Sequence, residues 1–245
     1  MYESFYAASV GAAQCNKRLS IIANNLANVN NTGFKPKEAA FSELIEYNLN
    51  DSEDAVTELQ SGVGTKVART YTSFEVAGLQ ETRSSFDYAI TRRNTFFMLR
   101  DPDTGEISYT RDGHFHRAER ADGFYLMTDS EKFVLDQSGQ PMRAEISDIE
   151  NGGTVENDQL IGLFTFNNPS RLMSVTANEY VPSDAGAAAI PVEERAVVQG
   201  MLETSATDVA EEFTHAIECQ RAFSYALRMV TTSDEIVSTI NNLRT

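Results

Sequence analysis

The strongest constraint on the fold is a pair of helical patterns at the two ends of the chain. Reading backwards from Val29, apolar or small residues fall at Leu26, Ile22, Leu19, Cys15, Ala12, Ala8, Phe5 and Met1. Steps of three and four place them on one stripe, the seam of a helix that winds on partner helices. At the other end, residues 201–245 contain neither glycine nor proline. Leu202, Ala206, Val209, Phe213, Ala216, Phe223, Leu227 and Val230 repeat the alternation, interrupted at Gln220, and the phase then slips to Ile236, Ile240 and Leu243 as in a stutter. The pattern predicts a helix of roughly forty residues, long for a globular protein. Ser205 or Thr207 is the expected cap, with Glu211 and Glu212 near the positive end of the dipole.

Between these ends the texture changes. Asn30, Asn31 and Thr32 compete locally for backbone hydrogen bonds, Gly33 offers a left-handed cap, and Pro36 prevents the helix from resuming. Phe41, Leu44, Ile45 and Leu49 then sit at helical spacing in a short extension. The acidic run from Asp51 to Glu58 reads as a solvated loop, because its carboxylates lack calcium-loop spacing. From Gly62 onward, short runs rich in valine, threonine and aromatics alternate with turns at Asp101–Gly105, Asp112-Gly113, Asp122-Gly123 and Ser138-Gly139. Turns about ten residues apart describe an antiparallel β domain. Further strands are expected around Leu160 to Phe166, Leu172 to Thr176 and Glu179 to Val181, with a small-residue loop from Asp184 to Ala189.

The expected fold is therefore α+β: long N- and C-terminal helices forming a coiled-coil pair that flanks a central, mainly antiparallel β domain. The helices take residues 1–33 and 201–245, a linker or extension takes 34–61, and the β domain takes 62–200. Ala8, Ala12, Ala206 and Ala216 let the helices approach closely but bury little area. Such a pair gains stability mainly when neighbours cover its other faces, which points to assembly. A formal charge of −16 leaves no basic patch for nucleic acid. No apolar run is long enough to span a membrane. The first twenty residues also lack the basic and uninterrupted apolar regions of a cleavable signal peptide.

Few residues suggest chemistry. His114 and His116 share one face of a strand without a third ligand, so no metal is expected. Asp101, Asp103, Asp112 and Asp122 each occupy a turn motif where aspartate is ordinary. His215 and Cys219 lie one helical turn apart, a spacing that suits packing better than a thiol nucleophile here. Cys15 and Cys219 make neither a metal site nor a disulfide scaffold, and no nucleotide or hydrolase motif is present. No enzyme and no cofactor are expected.

The segment NNLANVNNTGFK, with Asn24, Asn25, Leu26, Ala27, Asn28, Thr32, Gly33 and Phe34, resembles the signature that ends the first helix of flagellar rod and hook proteins, the axial proteins of the bacterial flagellum. The resemblance continues in order through SGVGTKV, the Asp87–Ile90 strand, the Tyr109–Gly113 turn and Gly200–Ser205, then through Gln220–Phe223 and Asp234-Glu235. Two departures stand out. Thr91–Thr95 replaces a glycine-rich turn, where Asn94 accepts a left-handed backbone more readily than Arg92, and Ala206 replaces an asparagine. The resemblance implies a structural rod subunit that transmits torque, most similar to the distal-rod type. It implies export through the flagellar apparatus without a cleaved signal, residence in the basal body, and partnership with copies of itself in a helical homopolymer and with other rod or hook subunits. The seam would be Phe5, Leu19, Ile22, Leu26, Val29, Leu202, Val209, Phe213, Phe223, Leu227, Val230, Ile236, Ile240 and Leu243. A secreted binding module with paired terminal helices is the alternative.

Overall fold

A computed structural model describes residues 2–43, 46–48, 60–62, 64–144, 161–176, 178–183, 188–192 and 196–243. The chain divides into two compact units, and it passes between them more than once. One comprises Met1–Ala27, Lys37–Tyr71 and Asp208–Thr245; the other comprises Asn28–Pro36 and Thr72–Thr207. The expected Leu44, Ile45 and Leu49 positions, the Asp51–Glu58 loop and most of the Asp184–Ala189 loop lie outside the described residues.

The first unit holds the helices α1 (Tyr2–Ala27) and α2 (Val209–Leu243), which pack on each other. Arg18 meets His215 and Asn25 meets Glu212, so numbering rises on one helix as it falls on the other and the pair is antiparallel. Helix α2 starts later than expected, because Asp208 is the cap. Its Oδ1 accepts the backbone N–H groups of Ala210 at 2.8 Å and Glu211 at 3.2 Å. Strand β1 (Lys37–Glu43) occupies the expected helical extension. Short apolar runs fit either period. Here the backbone of Lys37 is held extended by the Asn25 amide. Strand β1 pairs with β4 (Thr65–Thr72), and β2 (Glu46–Asn48) pairs antiparallel with β3 (Gln60–Gly62). Within the stretch expected to be linker, residues 37–43 and 46–48 are thus strand, and β4 lies almost wholly in the helices' unit.

The second unit is built on β7 (Thr95–Arg100), whose FFMLR run is apolar on both faces. Phe97 and Leu99 enter one cluster with Tyr88, Ile90, Phe115 and Leu126. Phe96 and Met98 enter another with Phe74, Tyr109, Phe164 and Tyr180. A continuous apolar strand is what burial on both faces demands. Around it run β8 (Ile107–Thr110), β9 (Phe115–Arg120), β10 (Gly123–Thr128), β11 (Phe133–Val134), β12 (Leu163–Thr165), β13 (Leu172–Ser174), β14 (Glu179–Pro182) and β15 (Ile190–Pro191). Strand β7 pairs antiparallel with β8, β11 and β12. Edge-to-face aromatic pairs fix the second cluster, with Tyr109 and Phe166 centroids 4.8 Å apart and Phe74 and Phe96 centroids 4.9 Å apart.

Two small ladders complete this unit. Strand β6 (Tyr88–Ile90) pairs with β16 (Val197–Gln199), and β5 (Leu79–Glu81) pairs with β17 (Met201–Glu203). Leu202, assigned from sequence to the helical seam, is therefore a buried strand residue. The β body extends three residues beyond Gly200 because that ladder closes it.

Gly113 lies where the backbone of Tyr88 passes; an added Cβ would sit 1.6 Å from the Tyr88 carbonyl oxygen. Gly11, in α1, has open space around it. Gly113→Ala is expected to cost about 3 kcal/mol or more in urea unfolding of the β body. Gly11→Ala should raise helix content through propensity alone. Equal, small effects would contradict this packing.

Candidate functional site

The signature segment acts through backbone capture at two places. In the helical unit, Asn25 is buried at the end of α1. Its Nδ2 donates to the Lys37 carbonyl at 2.9 Å while its Oδ1 accepts the Lys37 N–H at 2.9 Å, so the amide stands in for a strand partner. The same Nδ2 donates to Glu212 Oε1 in the first turn of α2 at 2.6 Å. One side chain thus ties together the end of α1, the start of β1 and the start of α2.

In the β unit, Thr32–Lys35 is clamped on every side. Thr32 Oγ1 donates to Asp112 Oδ1 at 2.7 Å, and Asn178 Nδ2 donates to the Thr32 carbonyl at 2.8 Å. The N–H of Gly33 donates to the Glu203 carbonyl at 2.7 Å, and the N–H of Ala206 donates to the Phe34 carbonyl at 3.0 Å. Phe34 is buried. Gly33 has φ +64°, and a Cβ there would lie 2.7 Å from the Arg111 carbonyl carbon and oxygen. Helix α1 already ends at Ala27, with Asn31 N–H returning to the Asn28 carbonyl. Gly33 is therefore not the helix cap expected from sequence; it is the point of closest approach to Arg111. Val29, expected on the seam, lies in that turn.

Lys35 and Arg111 converge on one carboxylate, Glu203, and the three side chains are 0% exposed. Lys35 Nζ donates to Glu203 Oε1 at 2.7 Å and to the Glu75 carbonyl. All five guanidinium N–H groups of Arg111 find acceptors: Glu203 Oε2 at 3.0 Å, Glu203 Oε1 at 3.3 Å, and the carbonyls of Arg92, Thr95 and Ile90. The N–H of Ala77 completes the Glu203 shell at 2.8 Å. Burial, then the field of Arg111, hold the Lys35 amine down at about 8 despite the pull of Glu203 in the other direction. Sequence reasoning found the motifs that carry these residues but assigned the residues no role. The available signal was a charge inside each of three otherwise structural motifs.

The sequence-assigned seam separates into two faces. On α1, Ile22 is buried and Leu26 half-buried, but Phe5 and Leu19 are exposed. On α2, Val230 is half-buried, whereas Val209, Phe213, Phe223, Leu227, Ile236, Ile240 and Leu243 are all exposed. The stripe that faces inward on α2 is instead Glu212, His215, Ala216, Cys219, Ala226, Val230, Ser233 and Val237. Polar anchors set this rotation: Glu212 goes to Asn25 and His215 to Arg18 at 3.2 Å. Most large apolar side chains of α2 are thereby turned outward.

The remaining candidates resolve into structural roles. His114 bonds Asp87 at 3.0 Å while His116 lies 3.6 Å from Asp129, so they do not share a ligand site. Among the described residues no group of three or more metal-binding side chains forms. Asp101 Oδ1 accepts the Asp103 and Thr104 N–H groups, which lower its pKa and close the turn. Asp112 does more than turn the chain: it anchors Thr32, and burial raises its pKa. Cys15 and Cys219 are free thiols, and burial pushes Cys219 up, away from thiolate chemistry. Asn94 adopts φ 54°, supplying the left-handed residue where a glycine turn is absent, and Arg92 does not.

Because the folded-state pKa of Lys35 lies near 8 and its ordinary value is 10.5, the unfolded chain binds more protons between them. The stability of the wild type relative to Lys35→Met should therefore rise as pH increases across that window. Urea unfolding at about pH 7.5 and about pH 9.5 checks the sign. A relative fall would mean that the Glu203 attraction outweighs burial.

Two protein-family models match the chain at its ends. The model described as flagella basal body rod protein covers residues 5–35, and the model described as flagellar basal body rod FlgEFG protein C-terminal covers residues 198–243. The chain is 28% identical to the flagellar basal-body rod protein FlgG of Bacillus subtilis (strain 168), over 100% of both chains. It is 30% identical to FlgG of Buchnera aphidicola subsp. Acyrthosiphon pisum (strain APS), over 99% of this chain and 100% of the relative. It is also 30% identical to FlgG of Borreliella burgdorferi, over 100% and 99%. The matched ends contain the Asn25 staple, Lys35 and Glu203, and the whole-length similarity covers the β body between them, so this chain belongs to the flagellar basal-body rod protein family.

Proposed function

We propose that this protein is a structural subunit of the bacterial flagellar rod, which self-assembles helically through its terminal helices and carries torque along the basal body. The family is structural, not enzymatic. One observation carries the reading: the outward face of α2, with Phe213 at 56%, Ile217 at 51% and Leu227 at 45% exposure. A row of large apolar side chains along a helix is costly in water and marks a surface that a partner covers. The inward stripe of the pair, with Ala216, Cys219, Ala226 and Ser233, buries too little to stabilise a two-helix unit strongly.

In this reading, copies of α1 and α2 from successive subunits cover one another's apolar rows. Heterologous contacts that do not close produce an open helical filament, the form a drive shaft requires. Other rod and hook subunits adjoin the filament, and the flagellar export apparatus delivers the chain. The β body makes lateral contacts, and a distal position along the rod is the favoured one. Self-repulsion from the −16 charge keeps the free subunit soluble until it is incorporated.

Immunogold labelling of isolated hook–basal bodies with antibody against residues 62–140 tests this directly. Label is expected along the rod, at a height that separates distal from proximal, and Ile217→Asp/Leu227→Asp should abolish it while leaving β-body unfolding unchanged. Intact basal bodies without label would overturn the assignment.

A further inference from the structure

We propose that Cys15 and Cys219 form a redox-controlled disulfide that ties α1 to α2. The bond lies within a single chain and stands apart from the assembly reading. The register of the helix pair places the two thiols together. Arg18 meets His215 and Asn25 meets Glu212 across the antiparallel contact. Cys15 lies one turn before Arg18 and Cys219 one turn after His215, so in antiparallel helices they fall at the same level. Cys219 belongs to the inward stripe of α2 and is only 4% exposed. Cys15 is half-buried and shares its side of α1 with Ala12 and Arg18, three residues away in either direction. From α1, the groups whose fields reach the Cys219 sulfur are Arg18 and Cys15. The preceding turns contribute Ala12 and Ala216, whose short side chains permit the close approach that a Cβ separation of about 3.8 Å requires.

Both thiols are free in the reduced chain. The bond forms by thiol–disulfide exchange, with a small-molecule or protein disulfide as the oxidant. Cys15, the more accessible thiol, loses its proton, and its thiolate attacks one sulfur of the oxidant. A mixed disulfide forms, and the oxidant's other sulfur leaves and takes up a proton. Cys219 then loses its proton, attacks the Cys15 sulfur and displaces the second thiol. Two protons and two electrons pass from the cysteines to the oxidant, which ends as two thiols. Burial raises the Cys219 pKa, which leaves the first attack to Cys15, while the Arg18 guanidinium opposes that rise and favours the thiolate needed for the second. The finished bond closes a loop that spans most of the chain, so it restrains the unfolded ensemble and holds α1 on α2.

Incubation of the dilute full chain with glutathione disulfide, followed by denaturation, iodoacetamide and intact-mass analysis, tests the pairing. The expected product is a monomer that takes up no label and shows a Cys15–Cys219 linkage in its peptide map. Amide exchange in residues 12–22 should slow about tenfold and recover when dithiothreitol is added. Cys219→Ala should stop at the glutathione adduct on Cys15. Two labels per chain after exposure to the oxidant, a wild-type adduct that persists on Cys15, or a covalent dimer as the main product would each overturn the proposal. So would a linked chain whose amide exchange is unchanged. Because nothing polymerises in this experiment, its failure leaves the assembly reading intact, and loss of label on basal bodies leaves the disulfide intact.

Discussion

Everything in the β body depends on one carboxylate holding two buried cations. Glu203 faces Lys35 and Arg111 with no access to water. Dehydrating three charges is expensive, and it is tolerated only where every donor and acceptor is met. That condition is satisfied in a single register. Gly33 must approach the Arg111 backbone, β17 must pair with β5 so that Ala77 reaches Glu203, and the loop after β6 and the start of β7 must offer the Arg92 and Thr95 carbonyls. A slip of one residue in β17 would turn Glu203 to the opposite face and strand both cations. The cluster thus contributes specificity as much as stability.

The helical unit is organised by a different rule. Its internal contacts are mostly small or polar, with Asn25 on Lys37 and Glu212, Arg18 on His215, and Ala12 buried, while Ile22 is a large apolar exception. These fix the rotation of α2 about its own axis and direct its large apolar residues away from α1. A pair optimised for its own stability would bury Phe213 and Leu227 instead. In the assembly proposed above, their burial is reserved for association, so that folding of the unit and joining of subunits draw on separate sets of side chains.

Much of this was legible in the sequence. The helix–β–helix order follows from where glycine and proline are absent and where they recur. The special position at residue 94 followed from the freedom of asparagine to adopt positive φ. What the sequence did not reveal depended on tertiary partners. Periodicity locates an apolar stripe but not which neighbour covers it, so the pattern alone does not show that Phe213 and Leu227 face away from α1. The rotation was decided by Asn25 and Arg18, polar residues to which an apolar pattern is blind. Leu202 fits both a helical phase and a strand, and only pairing with Gln80 decides between them. Lys35, Arg111 and Glu203 lie far apart in sequence, and nothing short of the fold shows that their charges meet.

The central claim is that Glu203 and Arg111 act as a unit, and a double-mutant cycle in urea unfolding measures it. Glu203→Gln should destabilise the β body by about 3–5 kcal/mol, since it leaves two buried cations without a counter-charge. Adding Arg111→Met should cost well under the sum of the single changes, with a coupling energy above about 1 kcal/mol. Additive effects, or a Glu203→Gln loss within about 0.5 kcal/mol of zero, would show that the cluster does not hold the fold together.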